Sequence, residues 1–365
     1  MVWPCRVREI LVGASSRRAS RRAVSVSVLV ESRPAPDGAF GDERRVRIRP
    51  GHSPADRVFF GVTRLMGLLV VAITASIGLF LGVQALPTWH HYGWHFFTQS
   101  QWNPERNIIG ISAVMVGTVT VGVIALSVAF PLALTTALYI SEYAPPGLRK
   151  VLISLVDLMA AVPSIVYGLW GFFFLQPRAI YVARWLQQNL GFIPIFHVGT
   201  DPNAATWAQS KYTASAFIAG LTVSIMVIPL CCALMREVFS QTPPGEKEAA
   251  LALGATRWGM IRTVVLPFGR GGIIGATMLG LGRALGETIA VLLIISPEFV
   301  IKFRPLEVGT ITVSALIAGR YGEATNAQLS ALLAAGLVLF LITLAVNTFA
   351  SVIVNRSRSG AQTDI

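Results

Sequence analysis

Residues Gln241–Pro267 read QTPPGEKEAALALGATRWGMIRTVVLP, a 27-residue polar stretch between two long apolar runs. Pro243-Pro244 predicts a helix start, because proline is tolerated in the first turn. Glu246 and Glu248 then fall in that turn, where the helix dipole favours carboxylates. Ala249–Leu253 continue as strong helix formers with an apolar face. Gly254 can stop this helix in the left-handed conformation, and Thr256 is a good N-cap for a second short helix. That helix is expected to run to Val265 and to end at Pro267. Two short helices meeting at Gly254, with an Ala/Leu face, make a rigid knob shaped to fit a groove. The plain alternative is an interfacial loop with no partner.

The surroundings are bilayer-grade. Apolar residues make up 53% of the 365 positions and charged residues 13%, against about 25% charged in soluble proteins; mean hydropathy is +0.62. Runs of about 20 apolar residues can cross a bilayer, and six are found, at about 62–86, 111–140, 151–176, 213–235, 271–296 and 328–354. The expected fold class is all-α: a polytopic membrane protein with six transmembrane helices. With the N-terminus inside, the inner segments hold 21 Lys and Arg and the outer ones 7, which orients the chain with both termini and the 241–267 loop in the cytosol. The basic tail of 1–57 supplies 12 of the 21. The domain organisation reads as that disordered cytosolic tail, a first span with an external aromatic-rich segment (58–110), a membrane domain holding the 241–267 loop (111–354) and a short cytosolic tail (355–365).

The net charge of +12 does not point to nucleic acid, since the positive-inside bias of the spans accounts for it. Cys5, Cys231 and Cys232 are too few for a disulfide framework, and the adjacent pair is expected to pack within a span. His90, His91 and His95 cluster beside Trp89, Tyr92 and Trp94, as an interfacial segment in contact with membrane lipids would, rather than at metal-ligand spacing. No Ser/His/Asp or Cys/His constellation supports an enzyme. Pro131 and Pro163 predict kinks in the second and third spans. Arg184-Trp185 and Trp207 are expected to anchor an outer loop of 177–212. Val308–Ala318 is too short to cross, and reads as re-entrant or interfacial.

Within the fifth run, GGIIGATMLGLGRALGETIAVLLIIS, Arg283 falls at the midpoint and Glu287 one turn on. An arginine at mid-bilayer costs about 2.5–3.5 kcal/mol on insertion scales, so it should face protein or water. Gly282 and Gly286 suggest a small-xxx-small contact, and Gly271, Gly275 and Gly280 extend a thin face. Arg283 and Glu287 are either a buried ion pair holding helices together or the lining of a solute path whose guanidinium fork matches an oxyanion. A buried pair is rarely a good stabiliser, which favours the path.

Four segments carry a family resemblance: SQWNP (Ser100–Pro104), AAVPSIVYGLWG (Ala160–Gly171), EAALALGATRW (Glu248–Trp258) and GLGRALGETIAV (Gly280–Val291). From about Trp89 to Val354 the chain resembles the phosphate-specific ABC permeases, and their PstC type more closely than the PstA type. The 241–267 loop resembles the EAA loop of ABC importer permeases, matching at Glu248, Ala249, Ala250, Gly254, Leu266 and Pro267, with Val264 where isoleucine is usual. The resemblance implies the type I ABC importer permease fold in a bacterial plasma (inner) membrane, carrying inorganic phosphate. It implies a second permease of PstA type, two ATPase subunits of PstB type and an extracytoplasmic phosphate-binding protein of PstS type. Arg283, Glu287 and Thr288 would line the substrate path, and the EAA residues would couple to the ATPase. No GxxxxGK[ST] loop occurs, so ATP would be used by the partner and this chain would hold no cofactor. A permease for sulfate or molybdate, or a secondary anion transporter, are the alternatives; the second would need no EAA loop.

Overall fold

A computed structural model describes residues 54–204 and 207–358, with Pro54 and residues 355–358 described in backbone only. The basic tail up to residue 53, and the C-terminal tail from 359, lie outside the described residues. The chain divides into two units, Met1–Gly61 and Val62–Ile365; of the first, the described residues hold only the opening turns of α1.

In chain order the helices are α1 (Pro54–Tyr92), α2 (His95–Thr98), α3 (Ser112–Leu138), α4 (Pro146–Ala161), α5 (Ser164–Trp170), α6 (Gln176–Leu190) and α7 (Ala216–Ser240). There follow α8 (Pro244–Ala252), α9 (Arg257–Met260), α10 (Leu266–Leu285), α11 (Ile289–Ile294), α12 (Val313–Arg320) and α13 (Asn326–Arg358). π-helical turns extend α3 (Tyr139–Tyr143), join α5 to α6 (Gly171–Leu175) and join α9 to α10 (Ile261–Val265). Two short strands, β1 (Trp102–Asn103) and β2 (Ile108–Ile109), pair antiparallel between α2 and α3. The fold is all-α, and the described residues hold five continuous helices long and apolar enough to cross a membrane: Ala55–Tyr92, Ser112–Tyr143, Ala216–Ser240, Arg257–Leu285 and Asn326–Val354.

The sixth expected span is a bent pair. Pro146–Ala161 and Ser164–Leu190 meet at 91°, so the expected kink at Pro163 is a full break. Val162 takes ψ 130° and Pro163 ψ 141°. A residue before proline is driven out of the helical region, and here that ends α4 outright. The second limb runs to Leu190, so Arg184 and Trp185 lie on a helix and not in a loop starting at 177. Arg184 Nε donates to the Pro202 carbonyl at 2.7 Å, and its guanidinium stands 4.7 Å from the Trp207 ring centre.

Helices α3 and α7 form the central contact. Along α3, Ala125, Ala129, Ala133 and Ala137 are fully buried at every fourth position, one stripe of a helix whose small side chains admit a neighbouring backbone closely. At Gly220 of α7 a methyl group would come within 2.6 Å of the Ile124 side chain. Against the other side of α7 lies α10. There the close approach is made at Gly269, Gly272 and Gly280, whose added carbons would meet Phe239, Val238 and Cys231 at 2.7, 2.2 and 2.4 Å. Of the expected thin face, Gly280 makes the approach to α7, whereas Gly275 faces Val354 on α13 instead. Buried Cys231 donates its thiol to the Ala276 carbonyl at 3.3 Å, so it packs as its apolar context predicts.

Beyond α11 the chain runs without helix to Thr312, whose hydroxyl caps α12 through the Ala315 N–H. Val313, Ser314, Ala315 and Leu316 are buried, and the Thr118 hydroxyl of α3 accepts from the Val313 N–H at 2.9 Å. The short apolar portion is therefore packed inside protein, the re-entrant alternative rather than the interfacial one. Helix α1 joins the bundle late in its course: Gly78 meets Phe340, and the Thr88 and Ser330 hydroxyls bond at 2.8 Å.

Candidate functional site

The knob forms as its residues dictate. Pro244 opens α8, and Gly254 adopts φ +86°, the left-handed conformation that a β-carbon disfavours. The Thr256 hydroxyl accepts from the Gly259 N–H at 3.1 Å and opens α9. Glu248, Ala249 and Gly254 are exposed, Ala250 is half-buried, and Leu251, Leu253 and Trp258 present a bare apolar surface, Leu253 at 90% exposure.

The knob does not end at Pro267. Residues Arg257–Leu285 form one uninterrupted helix in which half-buried Leu266 and exposed Pro267 are interior. The π-helical turn at Ile261–Val265 immediately precedes the proline and widens the helix where a ring would otherwise strike the preceding turn. A proline preceded by such a turn is accommodated instead of terminating. The consequence is mechanical: α9 and α10 are one rod of 29 residues, or about 43 Å at 1.5 Å per residue.

At its far end this rod breaks. Helix α10 stops at Leu285, Gly286–Thr288 are non-helical, and α11 begins at Ile289. Arg283 is accordingly in the last turn of a helix and not at the centre of a span, and Gly286 lies outside the helix, its N–H closing on the Gly282 carbonyl at 3.2 Å, so the two glycines do not form one helical face. The fifth span was placed too far along because the apolar run continues through the break into α11. Non-helical backbone among spanning helices persists only where its polar groups are satisfied or face a cavity. Here the Ser314 hydroxyl of α12 reaches the Glu287 carbonyl at 3.0 Å and the Leu285 carbonyl at 3.4 Å. The Thr288 hydroxyl, on a half-buried residue, donates to the Gly286 carbonyl at 3.1 Å.

Glu287 is 8% exposed, and its Oε1 accepts from the Ala290 N–H at 3.4 Å, capping α11. Arg283 is exposed and makes no hydrogen bond or ion pair among the described residues. The two do not form an ion pair, because the break turns the fifth residue of the helical repeat away from the first. Next to Arg283, the missing side chain of Gly282 leaves room for Asn347 of α13: a methyl group there would lie 3.5 Å from Asn347 Oδ1. Sequence reasoning missed Asn347. Its neighbours Thr343 and Thr348 satisfy their hydroxyls on their own helix, whereas the exposed Asn347 amide has no partner among the described residues. A lone amide deep in an apolar run was the available signal. Arg283 carries a fork of cationic donors and Asn347 a neutral donor–acceptor, on helices that meet at Gly282.

Asp157 and Arg236 approach at 4.0 Å, with the carboxylate 56% exposed.

Comparison with known proteins agrees with this architecture. Residues 129–359 match the family model described as "Binding-protein-dependent transport system inner membrane component". The chain is 37% identical over 319 residues to "Phosphate transport system permease protein PstC 2" of Mycobacterium tuberculosis, covering 86% of this chain and 96% of that protein. It is 38% identical over 291 residues to "Phosphate transport system permease protein PstC" of Xylella fastidiosa, covering 79% and 86%. Among solved structures, a bacterial ABC transporter involved in the import of the acidic polysaccharide alginate superposes with TM-score 0.53 at 20% identity, over 82% of this chain and 99% of that one. At that identity the likeness speaks for the fold alone, which is that of type I ABC importer permeases. With the family model spanning more than half its length, the chain belongs to the binding-protein-dependent transport system inner membrane components.

Proposed function

We propose that this chain is the permease subunit of an ATP-driven importer of inorganic phosphate, multi-pass in a bacterial plasma membrane with both termini in the cytosol. The observation that carries the reading is the continuous helix from Arg257, next to the turn at Gly254, to Leu285, at the break beside Arg283. A push on the knob passes through the turn at Gly254 and then along one continuous helix to the place where that helix opens. The printed names of the relatives supply phosphate as the solute.

In this reading Glu248, Ala249, Ala250 and Gly254 form the face that an ATPase subunit of PstB type grips, with Leu266 and Pro267 passing the motion on. A second permease of PstA type completes the path, two ATPases hydrolyse ATP, and an extracytoplasmic PstS-type protein delivers the anion. This chain itself holds no cofactor. Arg283 takes two anionic oxygens through its fork, and Thr288 and Asn347 add neutral hydrogen bonds. Glu287 favours an ion that still carries a proton: near neutral pH phosphate retains at least one P–OH, and sulfate has none. A carboxylate accepts from P–OH but repels an oxygen with no hydrogen to give. ATP-dependent phosphate uptake by the reconstituted complex tests the reading. Its orientation is tested by impermeant thiol labelling from outside, which should reach Glu323→Cys and spare Leu253→Cys.

A further inference from the structure

We propose that Lys247 and Glu142 form a latch that carries movement of the α8–α9 knob into α3, a second mechanical outlet beside the covalent rod into α10. The proposal rests on reading the knob as the contact for the ATPase.

Helix α8 buries none of its residues, so apolar packing holds it only weakly against the bundle. Among the described residues its side chains make one bond to another element: Lys247 Nζ donates to Glu142 Oε1 at 2.7 Å, across 105 positions of sequence. Glu142 is 7% exposed and Lys247 21%, so water and salt screen this pair little. The other two ion pairs are of a different kind. Asp157 is largely exposed and distant from Arg236, while Lys302 and Glu298 are four residues apart in one loop.

Glu142 is itself held firmly. It lies in the π-helical turn that extends α3, the Ser141 hydroxyl donates to the same Oε1 at 2.8 Å, and the Ala144 N–H closes the turn on the Tyr139 carbonyl at 2.9 Å. Ile140 within that turn is fully buried. Its carboxylate therefore reports where the end of α3 is, and α3 is the helix that packs most extensively on α7 and also meets α10. A shielded ion pair is a poor net stabiliser compared with an apolar contact of the same volume, yet it is strongly directional. This is the one side-chain bond from α8 to α3 among the described residues, and its direction is the useful property. Lys247 and Glu142 are positioning residues: they hold the knob in register with α3 so that one push tilts α3 and α10 together.

The test uses the full complex, with its ATPase and binding protein, in vesicles, recording phosphate uptake and ATP hydrolysis side by side. The variants are Glu142→Gln, Lys247→Met, and the exchange of Glu142→Lys with Lys247→Glu. A cysteine at Leu253, cross-linked to the ATPase, monitors docking in each. Each single variant is expected to raise the ATP hydrolysed per phosphate moved about tenfold while the cross-link still forms, and the exchange should bring the ratio back toward that of the unaltered complex. If the exchanged pair does not fold, Glu142→Gln decides alone, because it keeps shape and acceptor and removes only charge. A normal ratio in Glu142→Gln overturns the latch. So does an equal fall in uptake and hydrolysis in the single variants. Failure of the Leu253 cross-link in the unaltered complex is a distinct result: it removes the reading of the knob, and the latch with it.

Discussion

Arg283 and Glu287 are four residues apart, yet a helix ends between them, leaving the guanidinium exposed in the last turn of α10 and the carboxylate buried at the start of α11. They are therefore separable in function. The arginine has no partner among the described residues, and the carboxylate accepts from the Ala290 N–H at the start of α11; in the proposed reading the first meets the anion and the second sets the field behind it.

Glu287→Ala removes the acceptor for the Ala290 N–H, and loss of such a cap costs about 1 kcal/mol. A lower Tm of the detergent-solubilised protein is expected. Glu287→Gln keeps an oxygen in place and should melt normally, while reducing phosphate uptake and narrowing its advantage over sulfate, since an amide donates to either ion. Normal uptake with unchanged selectivity would leave Glu287 as a cap alone.

At Arg283, exchange for lysine preserves charge and loses the fork. Uptake should fall about tenfold, near the value of one charge-assisted hydrogen bond. Asn347→Leu should lower uptake by a smaller factor without reducing the amount of assembled complex, because the amide makes no contact that holds the fold. Loss of assembly in Asn347→Leu would instead make that amide a bridge to a neighbouring helix.

At Gly254 a β-carbon would meet nothing within 4 Å, so the obstacle is the backbone angle of +86° and not space. Alanine there costs about 1–2 kcal/mol of local conformational energy, and asparagine less, since it tolerates the left-handed region. Coupled uptake should follow the order Gly, Asn, Ala, Leu, with leucine also obstructing the contact face. Equal transport by all four would remove the knob from the coupling mechanism.

Gly280 provides the contrast. An added methyl would come within 2.4 Å of Cys231 Sγ and 2.9 Å of Val227, and overpacking of this kind costs about 1–3 kcal/mol. Gly280→Ala should lower Tm and yield, and Cys231→Ala should restore part of both. Gly254 and Gly280 thus separate loss of coupling from loss of packing.

The knob was legible in the sequence because each of its devices is local: a proline start, a glycine stop and a threonine cap act within a turn of themselves. Pro163 was legible as a disturbance, but the size of its bend was not, since a proline sets φ at one residue while the angle between limbs depends on what each limb packs against. Pro267 misled for the opposite reason, its local rule being overridden by a π-helical turn that no residue pattern announces. The break at Gly286–Thr288 was hidden by hydropathy, which continues unbroken into α11 and so drew Arg283 to the middle of a span. Its non-helical backbone is satisfied by Ser314, 27 residues beyond Glu287, a partner that local reading cannot assign. Asn347 and the Glu142 tie to Lys247 depend likewise on contacts between distant segments.

The central claim is that the knob at Gly254 and the rod from Arg257 to Leu285 convert ATP hydrolysis into phosphate movement. The most direct measurement is radiolabelled phosphate uptake into vesicles containing this chain, the second permease and the ATPase, with the binding protein outside. The account expects uptake that requires ATP on the ATPase side, survives an uncoupler, is not displaced by excess sulfate, and vanishes in Gly254→Leu while the complex remains assembled. Uptake by this chain without the ATPase, driven by a proton gradient and unaffected by Gly254→Leu, would contradict it.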